Sequence, residues 1–116
     1  MSRVRRLPLP ALVAVDEDPR VLEAVEAQLA GRYAADYRIE CLRDPAEALQ
    51  TLAVLRDSSV EVALVLVGQS VEASARDTLL DRVRQLHPHA KRVLVVAPSA
   101  WTDAAAARTI RAAARS

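Results

Sequence analysis

Two adjacent carboxylates, Asp16 and Glu17, directly follow an apolar stretch and are the residues best suited to carry chemistry. Neighbouring carboxylates repel each other unless a cation or a basic side chain lies between them. A hard divalent ion such as Mg²⁺ would need this pair, a third oxygen ligand and several water molecules. The pair is therefore a candidate acidic pocket, and its use depends on what the neighbouring strands supply.

Histidine and cysteine offer weaker candidates. His87 and His89 lie two residues apart without a partnering cysteine, and zinc normally takes three or four protein ligands. This pair predicts a surface connector. Cys41 has no nearby histidine in sequence, which favours a buried, inert thiol over a nucleophile.

The composition excludes several classes of protein. Its 116 residues, 52% hydrophobic and 27% charged, predict one globular domain. With only Gly31 and Gly68 available, neither a G-x-G-x-x-G turn nor a Walker-type loop can be present. The net charge of +1 argues against nucleic acid as the partner. The apolar run at residues 7–15 is too short for a membrane span, and a lone cysteine fits the cytoplasm.

Four short runs rich in β-branched residues predict strands at residues 11–15, 38–42, 62–67 and 92–97. Three of these runs are apolar without alternation, which is typical of parallel strands covered on both faces. The run at 38–42 mixes polar and apolar residues, as an edge strand does.

Helical periodicity separates the strands. Asp18 and Asp44 each precede a proline, which predicts two N-capped helix starts. Gly31 is the predicted C-cap of the first helix. Ser74, with Asp77 three residues later, predicts the start of the third helix, and a fourth is expected from about residue 102.

This β-α alternation predicts an α/β fold, a three-layer doubly wound parallel sheet formed by residues 10–116. Residues 1–9 are expected to be a flexible basic arm. In such sheets ligands bind outside the carboxyl ends of the strands, where the strand order reverses. The third strand ends in Gly68 and Gln69, so it offers no third carboxylate to Asp16 and Glu17.

The sequence of residues 13–22, with the acidic pair and Asp18-Pro19, resembles the first strand and helix of response-regulator receiver domains. In that family the acidic pair helps to hold magnesium. Residues 62–69 resemble the third strand, with the phospho-accepting aspartate falling on Gly68. Residues 91–97 resemble the fourth, with the switch hydroxyl falling on Val96. The similarity spans about residues 10 to 110. Residues 86–96 and 102–104 most resemble, within the family, the receivers at the N-terminus of some flavin-dependent thioredoxin-reductase-like proteins.

The resemblance therefore implies a flavodoxin-like fold but a degenerate receiver. Gly68 has no side chain to phosphorylate, Val96 has no hydroxyl, and the family's active-site lysine, last strand and last helix have no counterpart. Substitute acceptors do not end a predicted strand; those considered are Asp57, Asp77 and Asp81. We expect no enzyme activity, no cofactor, and either weak magnesium binding at Asp16 and Glu17 or none.

The expected function is a non-phosphorylatable pseudo-receiver in two-component signalling, acting as a regulatory or protein–protein interaction module. Two alternatives stay open: a regulatory domain of a flavin-dependent oxidoreductase, and a small-molecule-binding flavodoxin-like domain at the Gly68 pocket. Without a fifth strand, the fourth strand would present an apolar edge. We expect that edge to bind a partner protein or a second copy, in a homodimer that buries Val93, Val95, Trp101 and Ile110.

Overall fold

The computed structural model describes residues 8–95, which form four strands and three helices in alternation. A fifth strand is not among the described residues. The elements in chain order are β1 (Ala11–Val15), α1 (Pro19–Tyr33), β2 (Arg38–Leu42), α2 (Pro45–Asp57), β3 (Val62–Gly68), α3 (Ala73–Leu86) and β4 (Lys91–Val95).

The strands form one parallel sheet in the order β2-β1-β3-β4, so the strand order reverses between β1 and β3. Helix α1 packs on one face of the sheet, and α2 and α3 pack on the other. The prediction of a three-layer doubly wound α/β fold is therefore confirmed. Strand β2 is an edge strand, as its mixed polarity indicated.

The core explains why the central strands lack alternation. All five residues of β1 are buried. Leu12 and Ala14 pack with the apolar stripe of α1, while Val13 and Val15 pack with α2 and α3. Each fully buried Val or Leu side chain contributes about 1.5–3 kcal/mol to folding. Both faces of β1 are thus committed to the core, and only its end is free to carry polar groups.

Both predicted aspartate caps are present at the helix starts. Asp18 accepts a hydrogen bond from the Arg20 N–H at 2.9 Å, and Asp44 accepts one from the Ala46 N–H at 2.9 Å. A proline follows each cap, where its missing N–H costs nothing. Each cap contributes about 1 kcal/mol to helix stability.

One helix end and one capping residue were predicted wrongly. Helix α1 passes through Gly31 and ends at Tyr33, because Gly31 does not have the positive φ of a C-cap glycine. Helix α3 begins at Ala73, one residue from the predicted start, but Ser74 is not its cap. Its N-cap is Glu72, whose longer side chain reaches the Ala75 N–H at 3.0 Å.

The prediction of a surface connector at His87 is also wrong. His87 is only 8% exposed, and its ring Nε2 donates to the main-chain oxygen of Leu52 at 2.9 Å. His87 thereby ties the end of α3 to α2. His89 is exposed, as expected. An apolar-flanked histidine can be satisfied by one distant carbonyl, a contact that sequence spacing cannot reveal.

Several predicted elements lie outside the described residues. These are most of the basic arm, the end of the fourth predicted strand at residues 96–97, and the predicted fourth helix. Among the helices that the structure does describe, none has the length and apolar character needed to cross a membrane.

Candidate functional site

The point where the strand order reverses lies between the carboxyl ends of β1 and β3. These strands are neighbours in the sheet, and Val15 pairs with Val67. Asp16 follows β1 directly, and Gly68 is the last residue of β3. The two positions singled out from the sequence are thus brought side by side.

Asp16 is buried, with 3% of its surface exposed. Its Oδ1 accepts a hydrogen bond from the Asp18 N–H at 2.8 Å. Its own N–H donates to the main-chain oxygen of Leu42 at 3.1 Å. Because Asp18 is the N-cap of α1, the Asp16 carboxylate orders the turn that leads from β1 into that helix.

Gly68 lies directly against this carboxylate. A Cβ added to Gly68 would overlap Oδ2 and Cγ of Asp16 and lie 2.9 Å from its Cβ. The φ of Gly68 is not positive, so its backbone conformation does not require glycine. The lack of space beside Asp16 is what requires glycine at this position. The Asp16 carboxylate fills the volume that any side chain at position 68 would need.

Glu17 lies apart from Asp16 despite being its neighbour in sequence. It is exposed and lines an open groove with Arg43, Asp44 and Glu47. Asp16 instead lines a small recess beside Gly68. The two side chains thus line different depressions of the surface.

A magnesium site does not fit this arrangement. Asp16 Oδ1 is engaged by a backbone amide, Glu17 lines a different depression, and Gly68 supplies no ligand. Mg²⁺ demands near-ideal octahedral oxygen geometry, so carboxylates that bind it together must face one centre. Within residues 8–95, no three His, Cys, Asp or Glu side chains form a group that could hold a metal ion.

The recess beside Asp16 and Gly68 is nearly filled by aliphatic side chains. Its walls include Val21, Leu22 and Leu66, and its cavity is about 10 Å³. That volume is about the minimum needed for one water molecule. The arrangement therefore leaves no room for a small organic ligand.

The Cys41 thiol near the end of β2 is unsuited to nucleophilic chemistry. Burial raises its pKa to about 12, and the Glu26 carboxylate adds to the shift through its charge and a hydrogen bond. The Glu40 carboxylate raises the pKa further. The thiol is therefore protonated at neutral pH, which agrees with the predicted inert cysteine, although the side chain is only partly buried.

The three substitute acceptor candidates do not lie at the site. Asp57 is the last residue of α2, and Asp77 and Asp81 lie within α3. All three are exposed. None of them lies at a strand end or in a buried recess that could position its carboxylate for attack on a phosphoryl group.

The predicted interface can be followed only as far as β4. Val93 is partly buried and packs with the cluster beneath α1. Val95 pairs with Gly68 in the parallel register. Within residues 8–95, β4 has a strand neighbour on one side only, namely β3. Val96, Trp101 and Ile110 lie outside the described residues.

Sequence reasoning missed the contact between Asp16 and Gly68, although it identified both residues. A signal was present: one of only two glycines ends a strand predicted to lie beside a strand that ends in aspartate. A glycine at such a position leaves space, and the neighbouring carboxylate is the group that can fill it.

A solved structure shows which architecture these elements form. The chain is similar to the signal receiver domain of an HD domain-containing protein from Pseudomonas fluorescens Pf-5, with a TM-score of 0.69 and 22% sequence identity. The match covers 97% of this chain and 92% of that one. This chain has a receiver-like fold. No protein-family model matches the sequence, and no curated protein matches it.

The sequence resemblance assigns the phospho-accepting position to Gly68, which is where β3 ends. That position therefore lies at the reversal of strand order, where doubly wound folds place their ligands. Here it carries no side chain, and its neighbour Asp16 occupies the space.

Proposed function

We propose that this receiver-like domain is a pseudo-receiver, a regulatory module that acts through protein contacts without phosphoryl transfer. One observation carries the proposal: β3 ends in Gly68, and the Asp16 carboxylate fills the place of the missing side chain. The similarity in fold supports a signalling role, and the state of the site argues against the family's chemistry.

A phosphoryl transfer needs an accessible nucleophilic oxygen. Gly68 has none, and losing the nucleophile removes the covalent intermediate. Asp16 could not take its place, because it is 3% exposed and its Oδ1 is held by the Asp18 amide. The neighbouring recess has no room for a phosphoryl donor. We therefore propose that the domain does not accept a phosphoryl group at this site.

The partner in this proposal is a protein, and the simplest one is a second copy of the chain. Strand β4 is paired only with β3 within the described part. Unpaired strand edges promote association with other chains, and a symmetric dimer is the commonest closed assembly. Val93, Val95, Trp101 and Ile110 are the residues proposed for this contact. Sedimentation at micromolar concentration tests it, and a clean monomer would contradict a homodimer.

The alternatives make different predictions. The first alternative, a regulatory domain of a flavin-dependent oxidoreductase, rests on the sequence similarity of residues 86–96 and 102–104. It requires a redox domain in the same reading frame. A small-molecule-binding domain requires space at Gly68, whereas the recess holds about 10 Å³. The cavity therefore favours the interaction module over the ligand-binding domain.

The decisive experiment is incubation with acetyl phosphate and magnesium, followed by intact-mass spectrometry. A phosphorylatable receiver treated in parallel shows that the reagent is active. We expect no phosphoryl adduct on this chain. A stoichiometric adduct that is stable in acid and labile in base would contradict the proposal, and peptide mapping would identify the modified carboxylate.

A further inference from the structure

Three successive contacts connect the end of β3 with the beginning of α1. Gly68 leaves the space that the Asp16 carboxylate occupies. Asp16 Oδ1 accepts the Asp18 N–H at 2.8 Å. Asp18 Oδ1 in turn accepts the Arg20 N–H at 2.9 Å, in the first turn of α1. Each contact fixes the residue that makes the next one.

We propose that the Asp16 carboxylate permanently fills the space of the side chain that Gly68 lacks, and that it thereby couples the end of β3 to the start of α1. This inference deepens the proposed function and rests on it in one respect, the assignment of Gly68 as the vacated acceptor position. It gives Asp16 a positioning role in this chain, in place of cation binding.

Burial of the Asp16 carboxylate costs free energy, because the charge loses its hydration. A charged group that is 97% removed from solvent is destabilising unless hydrogen bonds compensate it. The Asp18 amide supplies such a bond, and the nearby N-terminus of α1 favours negative charge. The carboxylate is thus stabilised by its own chain.

Glycine at position 68 is the second requirement. Because the φ of Gly68 is not positive, alanine could adopt the same backbone there if space allowed. The added methyl group would instead displace the carboxylate. Displacing it would remove the acceptor of the Asp18 amide and loosen the turn that caps α1. A side chain added at the end of β3 would therefore destabilise the start of α1.

A double-mutant cycle tests this coupling with Gly68→Ala, Asp16→Ala and the double variant, measured by urea unfolding. In the parent chain, Gly68→Ala should lower the folding equilibrium constant by roughly tenfold or more, as overpacking does. In the Asp16→Ala background the carboxylate is gone and the space is vacant. There, Gly68→Ala should lower the folding equilibrium constant by less than about threefold. A folded double variant beside an unfolded Gly68→Ala variant supports the coupling most strongly.

Gly31→Ala is the matched control. It adds the same methyl group inside α1, where nothing lies within 4 Å of the new atom. It should leave the folding equilibrium constant unchanged or raise it, since alanine favours helix over glycine.

Hydrogen exchange gives the second measurement. Gly68→Ala should accelerate exchange at the Asp18 amide relative to amides in the middle of α1, and Gly31→Ala should not. Equal costs of Gly68→Ala in both backgrounds, or unchanged exchange at Asp18, would overturn the coupling while leaving the missing nucleophile intact. A phosphoryl adduct on the parent chain would instead overturn the proposed function without altering the cycle.

Discussion

The two ends of the sheet use polar groups in different ways. At the carboxyl end, side-chain carboxylates accept backbone amides: Asp16, Asp18, Asp44 and Glu72 each hold one. At the amino end, chain reversals are closed by backbone hydrogen bonds and by the buried His87. Four carboxylates at the end where this fold places ligands are thus engaged by the chain's own amides, whereas Glu17 is exposed.

The largest effect is expected from restoring an acidic side chain at the carboxyl end. Gly68→Asp would overlap the Asp16 carboxylate and place a second charge beside a buried one. We expect a loss of about 3 kcal/mol in the free energy of unfolding, measured by urea denaturation. Gly68→Asn, with the same shape and no charge, should lose less. An Asp variant as stable as the parent would mean that this end of the sheet is not occupied by its own side chain.

The amino end depends on His87 rather than on carboxylates. His87→Ala removes a buried ring and its hydrogen bond to Leu52, which should cost about 1–3 kcal/mol. The matched change His89→Ala alters an exposed side chain and should stay within about 0.5 kcal/mol of the parent. Thermal or urea unfolding measures both. Equal effects of the two changes would remove the assigned role of His87.

Alkaline pH is expected to weaken the carboxyl end through Cys41. Its pKa rises from 9.0 to about 12 on folding, mainly through burial and the Glu26 carboxylate. Stability is therefore fully present below pH 9 and is lost as pH rises towards 12, because the unfolded chain releases the thiol proton first.

After allowance for the partial exposure of Cys41, the loss at pH 10 is about 1 kcal/mol. Cys41→Ser should lack this component of the pH dependence. Comparing urea unfolding of the two chains between pH 8 and 10 isolates it, and parallel pH profiles would contradict the raised pKa.

The smallest expected effect is a gain at the amino end. Ser59 has a φ of 59° in the turn after α2, where the Ser59 and Val60 amides donate to Arg56 and Leu55. This pattern is a Schellman motif, which favours glycine at the left-handed position. Ser59→Gly should stabilise the domain by about 0.5–1 kcal/mol.

Ser58→Gly serves as the control for that gain, because the φ of Ser58 is −90° and glycine relieves no strain there. Melting curves should therefore separate the two serine variants. If both changes had the same effect, the left-handed strain at Ser59 would not be the cause.

Much of the fold was predictable because local signals agreed with one another. The unbroken apolar runs identified buried parallel strands, and the Asp-Pro pairs located the starts of α1 and α2 within a residue. The end of α1 was missed because Gly31 continues the helix, and the cap of α3 was missed because its side chain is outside the usual capping set. Glu72 caps α3 because its reach suits that turn, and no short sequence pattern announces this.

The candidate site was predictable in its residues but not in its geometry. Asp16 and Gly68 were identified from their places at strand ends. Their mutual contact depends on the register between β1 and β3, which includes an irregularity between Ala11 and Leu12. The burial of His87 likewise depends on the packing of α2 against α3. Such tertiary relations lie beyond the reach of local propensity.

We conclude that the Asp16 carboxylate is engaged by the backbone of its own chain and does not bind a cation. Titration with magnesium, followed at the Asp18 amide by nuclear magnetic resonance, tests this conclusion. That amide donates to Asp16 Oδ1, so any cation that captures the carboxylate must perturb it. Sodium chloride at matched ionic strength is the reference. We predict no saturable shift below about 1 mM magnesium, an affinity that would correspond to roughly 4 kcal/mol. A saturable shift of the Asp18 amide below that concentration would show that Asp16 binds magnesium, which would contradict this conclusion.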